Sequence, residues 1–168
     1  MDIRDITEIE SRYCSPDGKP VLGDAMFHLR TRWEAGYRDR ETGLRLLFLA
    51  WYTCAEPTRL TGLPEQGGMM PLFQSVFAHL DGSLPNDPEF LFVAGYMAAL
   101  WPWCCGQDVK WEATGRICLK KFQATGAVLL PVTFSGRGAY GFYFAHILSS
   151  GWMEQHLETT IRGEQPPA

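Results

Sequence analysis

Residues 90–107 read FLFVAGYMAALWPWCCGQ and carry no charge. A membrane-spanning helix needs about 20 predominantly apolar residues. Here Pro102 interrupts the run and apolar continuity ends near Trp101, which leaves about 12 residues, the length of a buried core helix. The stretch therefore predicts the central helix of an all-α domain and no membrane partner. Asp87-Pro88-Glu89, just before it, is a compact start signal: a capping carboxylate, a proline suited to the first turn, and an acid favoured by the helix dipole.

Working outward, residues 44–55 (LRLLFLAWYTCA) are apolar on nearly every side except Arg45 and Thr53, which predicts a second buried helix, capped at its start by Asp39 and ended by Pro57. Before it, Met26, Leu29, Trp33 and Tyr37 recur at helical spacing, with Asp24 as the expected cap. Between the two buried helices lies a Pro- and Gly-rich connection, residues 56–68, followed by a helix that starts around Pro71 and runs to about Leu80. After them, Trp111, Gly115, Cys118, Leu119 and Phe122 form the cleanest amphipathic stripe of the chain, on a helix from about Asp108. Residues 127–134 (AVLLPVTF) suit a short extended piece, with Pro131 confining any strand to an edge, and residues 137–148 suit the last core helix.

The first 22 residues admit two readings, a helix with Thr7 and Glu10 as a capping box and a hairpin turned at Asp17-Gly18. Residues 150–168 read as a loose C-terminal tail. The expectation is one all-α domain over 1–168, an antiparallel bundle or short array of about six helices. A tetratricopeptide repeat fails, because the small and aromatic positions it requires do not coincide in residues 90–131.

Composition supports a self-sufficient fold: the chain has 168 residues, 46% of them hydrophobic, with 6 Trp. Five cysteines form an odd set, three of them inside apolar helical patterns, which fits a reducing cytoplasm, and the N-terminus lacks the apolar core of a signal peptide. The net charge of -4 is unevenly spread. Between Leu46 and Val109 lie Glu56, Glu65, Asp81, Asp87, Glu89 and Asp108 against the single base Arg59. No basic stripe of the kind that binds nucleic acid is present.

Signatures of chemistry are weak. Gly136-Arg137-Gly138-Ala139-Tyr140-Gly141 matches GxGxxG, but too little chain follows for the parallel βα framework of a dinucleotide fold, so the pattern reads as a glycine turn. Cys104-Cys105 lacks CxxC spacing and a cationic neighbour, and Ser135 lies in FSGRG instead of GxSxG. His28, His79, His146 and His156 share no metal spacing, so neither a metal nor a cofactor is expected. A small enzyme with an interhelical pocket would draw on His79, His146 or Cys105, and a structural subunit of a larger assembly is a further alternative.

An interaction surface is the leading expectation. Helices that alternate up and down project the connections around residues 56–68 and 102–108 from the same end, bringing Glu56, Glu65 and Asp108 near Trp103. An aromatic anchor ringed by carboxylates suits a basic protein partner. The segments Ala55-Glu56-Pro57, Thr61-Gly62-Leu63-Pro64-Glu65 and residues 90–103 resemble bacterial all-helical immunity proteins. The resemblance implies a small cytoplasmic inhibitor that covers the basic active-site cleft of a toxin made by the same cell and performs no chemistry itself.

Overall fold

The computed structural model describes residues 1–12, 14–65 and 68–163. Its central helix, α6, spans Pro88–Leu100. The start signal works as the sequence requires: the Asp87 carboxylate accepts the Phe90 N–H at 2.8 Å, with Pro88 in the first turn. Residues 89–98 are all buried. The chain then turns at Trp101 into a single-turn helix, α7 (Pro102–Cys105). No helix among the described residues is long and apolar enough to cross a membrane.

The other long helices are α2 (Leu22–Glu34), α3 (Arg40–Ala55), α5 (Met69–Ser83), α8 (Asp108–Thr125) and α9 (Gly138–Ser149), with α8 packed along α6 and α2 packed on α3. Their contacts give the directions. Gly43 near the start of α3 meets Leu80 near the end of α5, and Trp33 near the end of α2, so α3 runs opposite to both. Arg40 pairs with Asp87, and Trp51 donates its indole N–H to the Met97 carbonyl at 3.1 Å, so α3 and α6 run the same way. Gly95 packs on Leu119 while Gly115 packs on Ala99, so α8 returns antiparallel to α6. These six long helices alternate in direction along the chain, and their buried side chains form one continuous core.

The described residues hold ten helices, more than the expected six. Two of the additions are single turns, α4 (Thr58–Thr61) and α7. The others fall in the segments that sequence left open. α1 covers Ile3–Ser11 and is capped by Asp2 with Asp5, so the expected Thr7 and Glu10 box is replaced; both side chains instead reach the interior. The Asp17-Gly18 turn also forms, closing a single antiparallel bridge between Cys14 and Pro20. At the other end α10 (Trp152–Arg162) sets Trp152, Met153, Leu157 and Ile161 against the core where a loose tail was expected; the remainder of that tail, 164–168, lies outside the described residues.

Three further details differ from expectation. α2 begins at Leu22, so Asp24 sits inside its first turn and caps nothing. Tyr37 is 60% exposed, beyond the end of the buried stripe Met26, Leu29 and Trp33. The 127–134 segment pairs with no strand; Pro131–Phe134 closes into a 3-10 turn, because Pro131 can open a helical turn but cannot donate to a ladder.

Candidate functional site

The alternation of helices sets the C-terminal end of α3, the start of α5, α7 and the start of α8 at one end of the bundle. Cys54 near the end of α3 and Cys104 of α7 hydrogen-bond through their thiols, and Gln74 of α5 donates to the Cys105 carbonyl at 2.9 Å. Glu65 and Asp108 are exposed there, Trp103 is 45% exposed and Glu56 is half-buried. The four do not share one lining: Glu56 faces a cleft that the other three do not reach.

That cleft, of about 660 Å³, opens between α3 and α9, with the end of α1 and the short α4 closing its sides. Clefts of roughly 300–1,000 Å³ are the usual size for holding a ligand. From α3 and its C-terminal cap come Phe48, Tyr52 and Glu56, four positions apart, with Glu56 in extended backbone just past the helix end; on α9 the lining includes Ala139, Phe142, Tyr143 and His146 at helical spacing. Phe48 forms a buried floor, on which Tyr52 stacks at 4.9 Å between ring centroids. Tyr143 stands against Tyr52 at 5.7 Å and 67°.

A buried ionic frame holds this geometry. The Glu10 carboxylate, fully buried, accepts two N–H groups from Arg45, the closer at 2.5 Å, and its second oxygen accepts the Ala139 N–H at 2.6 Å. Burial pushes the Glu10 carboxyl upward, against the opposing pull of Arg45. Arg137 is gripped by Glu41 and donates to Glu89 at 2.6 Å; Glu89 also accepts from Arg40 at 2.9 Å and from the Tyr140 hydroxyl at 2.5 Å. Buried charges survive only when paired and hydrogen-bonded in this manner.

The frame explains the GxGxxG pattern. Gly138 has φ +63°, and a side chain there would fall on the Glu10 carboxylate, while one at Gly141 would fall on the Phe134 carbonyl. Gly138 and Gly141 form a packed joint at the start of α9. The Ala139 amide in its first turn donates to Glu10, and a 3-10 turn precedes the helix in place of the strand a dinucleotide site needs.

Glu56 differs from the other carboxylates of the cleft. Among the described residues no side chain hydrogen-bonds it or pairs with it, although it lies close enough to Tyr52 and Tyr143 to help raise both hydroxyls, after burial as the main cause. Asp87, Glu10, Glu41 and Glu89 face three guanidiniums in the frame, Arg40, Arg45 and Arg137. With Glu56 added, the surroundings of the cleft carry an excess of negative charge.

The groups a small enzyme would draw on are scattered. His146 lines the cleft, whereas His79 stands edge-on to Trp33 at 5.0 Å, outside it. Cys104 and Cys105 are buried, and both thiols are pushed up, Cys104 mainly through its bond to Cys54 and Cys105 through burial, which opposes formation of a nucleophilic thiolate. Among the described residues no three His, Cys, Asp or Glu side chains are placed to hold a metal ion. No family model matches the chain, and no curated protein or solved structure matches it either.

Sequence reasoning missed this cleft. Residues 44–55 read as a buried helix, apolar on nearly every side except Arg45 and Thr53, yet Arg45 is buried and Tyr52 is only half-buried. The signal was the stripe Phe48, Tyr52, Glu56, in which an apolar helix face ends on a carboxylate.

Proposed function

We propose that the protein is a binding domain of the immunity type, acting in the cytoplasm by covering a basic surface of a toxin-like partner. The observation that carries this reading is an aromatic-walled cleft whose outer carboxylate, Glu56, has no partner among the described residues. Trp103, Glu65 and Asp108, exposed at the same end, would extend the contact as an aromatic anchor with acids that steer the encounter. Inhibition would work by occlusion and needs no catalytic group.

The test is capture of partners by the tagged protein at low and high salt, with a charge-reversed variant, Glu56→Lys, Glu65→Lys and Asp108→Lys together, run in parallel. A stoichiometric partner with a basic catalytic domain, retained by the native chain at low salt and lost by the variant, is the expected result. Equal capture by both would remove the electrostatic version of the proposal.

One observation favours a second reading, a subunit of a larger assembly. Val128, Leu130 and Val132 are 78%, 53% and 70% exposed along one short segment. Self-association that disappears in Val128→Ser with Val132→Ser, measured by sedimentation, would support it.

A further inference from the structure

We propose that Tyr52, Tyr143 and Glu56 form a subsite for an organic cation carried on an apolar stem, an arginine side chain of the partner. This rests on the binding-domain reading above and names the group that enters the cleft.

Three observations converge. The two tyrosine rings meet at 67° and, with Phe48 beneath, make an aromatic corner open to the cleft. Such corners attract cations through the negative faces of their rings. Glu56, the residue that ends α3 four positions beyond Tyr52, lines the same cleft, half-buried, with no ion-pair partner among the described residues. Its charge is close to both hydroxyls, since it contributes to the upward displacement of each. Finally, the cleft is polarised. At its other end the Arg137 guanidinium is held by Glu41 and Glu89, so it is engaged away from the Glu56 corner.

The stem requirement follows from the walls between corner and solvent. Leu60 and Phe142 flank the opening, both largely exposed, and offer apolar surface to the methylenes of a long basic side chain. Arginine fits better than lysine, because its planar guanidinium stacks on aromatic rings and forks onto a carboxylate together.

The decisive experiment titrates the protein, with its tyrosines selectively labelled for NMR, with Nα-acetyl-arginine-N-methylamide and with the neutral citrulline analogue. The arginine probe is expected to shift the ring signals of Tyr52 and Tyr143 saturably, and citrulline to bind about tenfold more weakly. Glu56→Gln should erase most of that preference while leaving the fold intact. Tyr52→Leu should weaken the arginine probe further; if that variant fails to fold, Glu56→Gln carries the test alone. Equal binding of both probes, an unchanged preference in Glu56→Gln, or no shift at either tyrosine up to the solubility limit of the probe would overturn the proposal. The titration uses no partner, so its outcome is independent of the capture experiment.

Discussion

Glu10 and Arg45 form an ion pair at 2.5 Å in which neither side chain has meaningful contact with water, their exposures being 0% and 1%. Breaking such a pair from one side strands the other charge in the core. Glu10→Ala or Arg45→Ala should therefore cost about 3–5 kcal/mol of stability in urea denaturation. The double variant Glu10→Leu with Arg45→Met should recover most of the loss, less about 1 kcal/mol for the Ala139 N–H that Glu10 now satisfies. A double variant no better than either single one would mean that the pair is needed for more than mutual neutralisation.

Acid should act on the frame through Asp87. Burial works to raise its carboxyl, but hydrogen bonds from Arg40 and from the Phe90 amide prevail and hold it below its ordinary value of 3.8. A folded-state value below the unfolded one stabilises the fold above pH 3.8, and that contribution is lost as pH falls further. Glu10 has the opposite sign: its raised carboxyl favours the fold below 4.5 and ceases to do so as pH rises through the raised value. Thermal melts of Asp87→Asn should accordingly show a shallower decline in acid than the native chain, and an unchanged acid limb would count against this assignment.

The glycine joint separates packing from backbone conformation. Gly136 and Gly138 both have positive φ, at +72° and +63°, yet the first opens on empty space and the second on Glu10. Gly136→Ala should cost about 1 kcal/mol for the left-handed backbone alone. Gly138→Ala should cost about 2–3 kcal/mol, because the Glu10 pair must also move. Denaturant midpoints that fall equally for the two would show that Glu10 yields easily.

Two tryptophans offer a similar contrast. Trp51 is fully buried and donates to the Met97 carbonyl, so Trp51→Ala should cost about 3–5 kcal/mol. Trp103→Ala, at a half-exposed surface position, should change stability by about 0.5 kcal/mol or less while weakening partner capture. Loss of stability at Trp103 comparable to that at Trp51 would assign it to the core.

The helices legible in the sequence are those whose signals are local. Asp39 and Asp87 sit at the starts of α3 and α6 as capping carboxylates, and the stripe from Trp111 to Phe122 faces inward residue for residue. What sequence could not supply was pairing at a distance. Glu89 reads locally as an acid in the first turn of a helix; only the fold brings Arg40, Arg137 and Tyr140 onto it from positions 49, 48 and 51 residues away. The cleft was hidden for the same reason, since Phe48, Tyr52 and Glu56 become one wall only when Tyr143 arrives from α9. Of the four surface residues singled out from sequence, Glu56 alone enters that wall.

The bond from Ala139 to Glu10 spans 129 residues, and the grip of Glu41 on Arg137 spans 96. A chain emerging from the ribosome exposes Glu10, Glu41 and Arg45 long before residues 137–139 exist to complete their partnerships. The N-terminal helices can collapse early around their aromatic residues, but the charged interior can be sealed only when α9 docks, so these distant contacts should form late and set the pace of folding.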